Sequence, residues 1–262
     1  RRLRGISVNA LVPNALTVLA ICLGLTAIRY ALLDRWEVAV AAIIAAGVVD
    51  GLDGRVARIL KASTEFGAQL DSLSDFLCFG VAPALSLYLW TLQDGRAAGW
   101  AVALLFSVCM ALRLARFNAS LLNPDRPAWT SKFFTGLPAP ASSAIALLPM
   151  MLSFEFGDTF LREPAVVALH LIVVSLLTIS TIPMYSGKGL RVRHEHVLPV
   201  LLAIGVLFAL IVGYPWYALS LLAIGYLASI PFSVRSRRRL RIQSEAAASE
   251  EETAGDDGVS VD

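Results

Sequence analysis

Eight apolar runs of membrane-span length, at roughly 12–33, 36–54, 71–92, 97–117, 137–154, 164–184, 197–213 and 215–233, leave this 262-residue chain little choice of architecture. A helix needs about 20 apolar residues to cross a bilayer. Inside the hydrocarbon every backbone N–H and C=O must also find its partner within the protein, which restricts spanning segments to helices and closed barrels. The runs are long and unalternating, as helices are. Composition agrees: 57% hydrophobic and 16% charged residues make the chain more apolar than an average soluble domain. The expected fold is all-α, a polytopic membrane bundle of about eight helices filling residues 1–234. Residues 235–262 have another character, with five arginines between Arg235 and Arg241 and then an acidic stretch without hydrophobic period. They predict a disordered tail whose basic start meets anionic headgroups.

The net charge of +2 says little about partners, but its distribution sets an orientation. With the N-terminus inside, all but four of the 22 basic residues fall on the cytoplasmic side, the exceptions being Arg29, Arg35, Arg96 and Arg162. Cytoplasmic loops of membrane proteins carry this excess of Lys and Arg. Both termini are therefore expected in the cytoplasm. Trp36, Trp90, Trp100 and Trp216 fall near the opposite span ends, where an interfacial aromatic belt would lie.

Between Asp50 and Asp75 the apolar pattern is broken by Asp50, Asp53, Asp71 and Asp75. Ionisable groups at membrane depth are costly and mark function by default. Asp50 and Asp53 are three residues apart and Asp71 and Asp75 four apart, so each pair shares a helical face. Two such pairs on adjacent antiparallel helices can converge, with the connection that contains Gly67 turning at the membrane surface. Four carboxylates in one low-dielectric volume repel strongly. Arg55 and Arg58 are too few and too long to neutralise them, so divalent metal is expected. Oxygen ligands without nearby His or Cys favour Mg²⁺ or Mn²⁺ over zinc. Metal pairs of this kind suit displacement at phosphorus. Buried Asp–Arg pairs holding the spans together are the bland alternative.

The spacing Asp50-x2-Asp53-Gly54-x2-Ala57-Arg58-x8-Gly67-x3-Asp71-x3-Asp75 resembles, at every position, the signature of the CDP-alcohol phosphotransferases. That family moves a phosphatidyl-type group from a CDP-linked lipid to an alcohol and releases CMP. The resemblance implies that Asp50, Asp53, Asp71 and Asp75 hold two divalent ions, with Asp75 also the general base for the acceptor hydroxyl. It implies nucleotide and diphosphate contacts from Gly54, Arg58, Thr64 and Gly67. Pro13-Asn14-Ala-Leu-Thr17 is similar to a further nucleotide contact, giving Pro13, Asn14 and Thr17. Asn14 as a plain helix cap is the competing reading. The family also implies a homodimer, no nucleic-acid partner, and, for the bacterial members that this chain resembles, the inner membrane with a site facing the cytoplasm.

Arg113-Leu-Ala-Arg116-Phe-Asn118 and Phe133-Phe-Thr-Gly136-Leu-Pro138 are similar to the serine-accepting bacterial branch of that family, as is the Phe79-Gly-Val-Ala-Pro83 turn. Serine brings a carboxylate that must meet cations. Arg113 and Arg116 lie one turn apart on one face at the carboxylate end, and Arg suits bidentate recognition of such groups. Asn118 and Lys132 complete the candidate acceptor site. The same residues can instead bind lipid phosphates or follow the positive-inside bias. More anionic acceptors, glycerol 3-phosphate or inositol phosphate, would demand more cations. A cation transporter is the alternative from another class. Cys22, Cys78 and Cys109 read as small buried hydrophobes, His170 as a packed histidine, and His194-Glu195-His196 as a solvated loop.

Overall fold

The computed structural model describes residues 8–61, 64–121, 133–185 and 196–235. Within them the chain forms eight helical rods. The first two are α1 (Val8–Ala31) and α2 (Trp36–Ile59). The third joins α3 (Glu65–Asp75), a π-helical stretch over Phe76–Val81, and α4 (Ala82–Trp90). The fourth is α5 (Arg96–Leu121), and the fifth joins α6 (Ala139–Ala146) to α7 (Leu148–Phe156). The last three are α8 (Pro164–Ile179), α9 (Val197–Gly213) and α10 (Pro215–Ala228), the last continuing helically to Arg235. A small antiparallel ladder, β1 (Phe133–Thr135) with β2 (Pro183–Tyr185), closes the end where α5 and α8 finish.

The rods Leu11–Ala31, Glu65–Trp90, Leu92–Ser120, Ala139–Phe156 and Pro215–Arg235 are long and apolar enough to cross a bilayer. The apolar α8 and α9 are shorter, at 16 and 17 residues. α2 has the length, 24 residues, but carries Asp50, Asp53, Arg55 and Arg58 in its final turns. The molecule is thus a polytopic helical membrane bundle.

Local chemistry starts and stops the rods. Proline stands in the first turn of α4, α6, α7, α8 and α10, where its missing N–H has no partner to lose. Thr64 caps α3, its Oγ1 accepting from the Gly67 N–H at 3.0 Å. The core begins where α1 and α2 pack through the buried Ala20, Ala27, Ala39, Ala42 and Ala46, small residues that let membrane helices approach closely. Phe79, Phe106, Met110, Leu137, Met150 and Leu171 fill the middle. α9 buries no residue, and its Leu198, Leu201, Leu202 and Phe208 face outward, as a lipid-facing helix requires.

Trp36, Trp90, Trp100 and Trp216 gather at one end, at the start of α2 and α10, the end of α4 and the first turns of α5. There Arg162 donates through Nε to the Trp90 carbonyl at 3.2 Å, lies over the Trp90 ring, and pairs with Asp158 at 3.3 Å. At the opposite end Gly136 turns the chain into α6 with φ +79°, and a Cβ there would stand 2.6 Å from the Thr178 carbonyl oxygen. Only glycine fits that position.

Candidate active site

α3 follows α2 after a short connection and packs on α1, and the carboxylates of α2 and α3 converge. Oxygens of Asp50, Asp53 and Asp71 all lie within 4.8 Å of one another. Asp75, one turn beyond Asp71, lies against Asp50. Asp50 Oδ1 and Asp75 Oδ1 are buried with no hydrogen-bond partner. Two orphaned carboxylate oxygens beside a third and fourth acid are what a cation site leaves when its protein atoms alone are considered. Oxygens on one magnesium at about 2.1 Å stand at most about 4.2 Å apart, so the trio needs little adjustment to share an ion. The donor set fits a hard divalent metal. The ion pair formed among the described residues, Arg162–Asp158, lies at the other end of the bundle.

α1 supplies the wall facing these acids. Thr17, 3% exposed, donates its hydroxyl to Asp53 Oδ2 at 2.7 Å and so fixes that carboxylate, which is itself 4% exposed. A cleft of about 170 Å³ opens beside them. Pro13, Asn14, Thr17, Gly54, Thr64 and Gly67 all line it, along with Asp53 and Asp71. Every residue that the sequence assigned to the nucleotide is there except Arg58, which is exposed and returns its Nε to the Gly54 carbonyl at 3.0 Å. A Cβ on Gly54 would meet nothing within 4 Å, so this glycine leaves room rather than enabling contact.

One expectation about this wall is corrected, and the competing reading of Asn14 does not hold. Gly67 does not sit in a turn; it lies in the first turn of α3, where a Cβ would stand 2.8 Å from Asn14 Oδ1. Its bare backbone lets α1 approach. Asn14 is not a helix cap, because α1 begins at Val8 and carries Pro13 within it.

The acceptor candidates divide. Arg113, 7% exposed, donates Nε to the Leu137 carbonyl, and its charge acts on Asp75. Arg116 reaches the end of α8, donating to the carbonyls of Ile179 at 2.8 Å and Ser180 at 3.0 Å. Asn118 donates to Ser72 Oγ at 2.9 Å, tying α5 to the residue after Asp71. Lys132 and the His194-Glu195 loop lie outside the described residues. With these bonds Arg116 satisfies carbonyls that α8 leaves open at its C-terminus. Arg116→Met is predicted to lower stability by about 1–3 kcal/mol, the range for charged hydrogen bonds. Thermal unfolding in detergent, compared with wild type, would measure it; an unchanged midpoint would show that these bonds contribute nothing net.

α2 connects this cleft to a second cavity. Ile43, Gly47, Asp50, Gly54 and Ala57 follow one another at three- and four-residue steps, a single stripe of the helix. Above Asp50 the stripe borders an apolar groove of about 290 Å³ between α2, α6 and α10. The sequence did not draw α10 into the site, yet Tyr226 lines this groove and lies within electrostatic range of the Arg113 guanidinium.

A phosphate-scale cleft, a carboxylate cluster fit for divalent metal and an apolar groove along one helix face describe an enzyme acting on a lipid with a charged head. The chain belongs to the CDP-alcohol phosphatidyltransferase family, whose sequence model matches residues 10–227. Among its relatives is a Mycobacterium tuberculosis protein named CDP-diacylglycerol–serine O-phosphatidyltransferase, 40% identical over 237 residues, or 90% of this chain and 82% of the relative. Proteins of the same name from Helicobacter pylori and Methanocaldococcus jannaschii are 31% and 34% identical, over 76% and 80% of this chain and 81% and 88% of theirs.

Proposed function

We propose that this protein transfers the phosphatidyl group of CDP-diacylglycerol to the hydroxyl of L-serine, releasing phosphatidylserine and CMP. Family membership gives the reaction type. Relatives that share their name across bacteria and an archaeon support serine as the acceptor. The observation that carries the site is the meeting of Asp50, Asp53 and Asp71 within 4.8 Å, beside a cleft bounded by Asn14, Thr17, Gly54 and Gly67.

Asp50, Asp53, Asp71 and Asp75 would hold two divalent ions, Mg²⁺ or Mn²⁺. When bound, such ions neutralise the diphosphate and stabilise the attacking and leaving oxygens of an in-line displacement. The cleft residues hold the cytidine nucleotide, with Arg58 placing its charge beside Gly54. Thr17 keeps Asp53 turned towards the cluster. Asp75 accepts the proton of the serine hydroxyl. The freed oxygen attacks the phosphatidyl phosphorus, the bond from that phosphorus to CMP breaks, and CMP departs. No covalent enzyme intermediate is required. We further place the site at the cytoplasmic face of a bacterial inner membrane, on the bias of positive charge, and the active unit as a homodimer, as the family resemblance implies.

Purified protein given labelled CDP-diacylglycerol and one alcohol at a time would test this. CMP release is expected with L-serine and not with glycerol 3-phosphate or inositol phosphate. Release with a phosphorylated alcohol alone would reassign the acceptor, and ion flux in proteoliposomes without CMP release would replace the enzyme by a transporter. The transporter reading is already disfavoured because the acids sit towards helix ends, whereas transport sites lie near the midplane.

A further inference from the structure

Arg113 is a buried guanidinium without an ion pair among the described residues. One of its donors goes to the Leu137 carbonyl, and its guanidinium lies within electrostatic range of Asp75 and of the Tyr226 phenol. A cation withdrawn from water requires a compensating anion, and Asp75 stands outside salt-bridge distance. The Tyr226 hydroxyl, in turn, is buried with no hydrogen-bond partner, although buried tyrosine hydroxyls ordinarily have one. Arg113 meets the chain at Leu137, just before α6, and Tyr226 lines a groove with Pro140 and Ala141 of α6, so an unpaired cation and an unused hydroxyl donor lie near the same helix start and together suit an anion.

We infer that Tyr226 of α10, together with Arg113, binds the carboxylate of the acceptor and so determines its selection. This rests on the proposed serine transfer and adds a residue to it. Arg113 lies within electrostatic range of both Tyr226 and Asp75, so an acceptor whose carboxylate meets Arg113 and Tyr226 can present its hydroxyl to Asp75. The Tyr226 O–H donates to one carboxylate oxygen while the guanidinium takes the charge. Tyr226 also lines the apolar groove of α2, α6 and α10, which places the pocket at the boundary between lipid and head. A phosphate of the lipid substrate has the same chemistry as a carboxylate, and the two sources separate in kinetics.

Tyr226→Phe removes the donor and keeps the ring. The KM for L-serine is expected to rise about ten- to hundredfold, the range for a lost hydrogen bond to a charged group, with kcat and the KM for CDP-diacylglycerol little changed. Serinol, which lacks the carboxylate, should inhibit wild type and variant equally. An unchanged serine KM overturns the inference, and so does a rise confined to CDP-diacylglycerol, which would assign the pocket to lipid phosphate. If the variant does not fold, 3-fluorotyrosine at position 226 gives a second reading. Its fluorine resonance should move with L-serine and not with serinol, and an unmoved resonance is equally fatal. Wild-type protein that releases no CMP with serine would instead sink the proposed reaction.

Discussion

Asp75→Asn is expected to lower serine-dependent CMP release by roughly 10²–10⁴-fold, the usual contribution of a positioned general base. The amide keeps the shape of the carboxylate and loses its ability to take a proton. Asp75 lies against Asp50 with its Oδ1 buried and unpartnered, so an uncharged group there also relieves repulsion within the cluster. The metal-free variant should therefore unfold at the same temperature as metal-free wild type or higher, which separates lost chemistry from lost folding. Affinity for CDP-diacylglycerol should stay within a few-fold, since the nucleotide cleft is built from α1, α2 and the start of α3. Turnover restored by raising the metal concentration would leave Asp75 as a metal ligand alone and remove its role as the base. Full activity at ordinary metal concentration would remove it from the mechanism.

How much of this was legible in the sequence follows from what each residue's signal reports. The rods were readable because span length and hydropathy report the solvent itself. Their ends were not, wherever something else forms the helix. The third run was expected from residue 71, yet α3 begins at Glu65, because its polar first turns are held by the Thr64 cap and not by hydrophobicity. The sixth run was drawn to residue 184, yet α8 stops at Ile179, after which Pro183–Tyr185 pairs with Phe133–Thr135. Three-residue strands carry no period to detect. The π-helical stretch after Asp75 likewise has no mark in the sequence.

The site shows the same division. The spacing of the aspartates predicted their convergence because i, i+3 and i, i+4 positions share a face in any helix. Small residues beside them announced space, but not whether a ligand or a neighbouring helix would use it. At Gly54 the space is open, and at Gly67 Asn14 fills it. Arg113 and Arg116 looked alike as two cations one turn apart. The fold distinguishes them, since Arg116 closes α8 while Arg113 is buried beside Asp75. Tyr226 lies over one hundred residues from Arg113, and nothing local in α10 marks it as polar machinery.

Removing divalent metal should have the other large effect, a fall of CMP release to background that Mg²⁺ or Mn²⁺ reverses. The four acids form no salt bridge among the described residues, and Arg113, outside salt-bridge distance, offsets only part of their mutual repulsion. Folding should report the same ion independently of turnover. Metal at a hundred times its dissociation constant stabilises the folded state by about 2.7 kcal/mol, and the thermal midpoint should rise accordingly. Asp53→Asn should abolish most of that rise, because it takes one of three oxygens out of a cluster only 4.8 Å across. Thr17→Val tests the support behind it. With the 2.7 Å bond to Asp53 lost, the carboxylate can rotate, and the metal concentration for half-maximal activity should increase about 10–100-fold, as loss of an outer-shell partner does. Undiminished CMP release in excess chelator, or a midpoint that ignores metal in wild type, would mean that something other than a cation holds these carboxylates together.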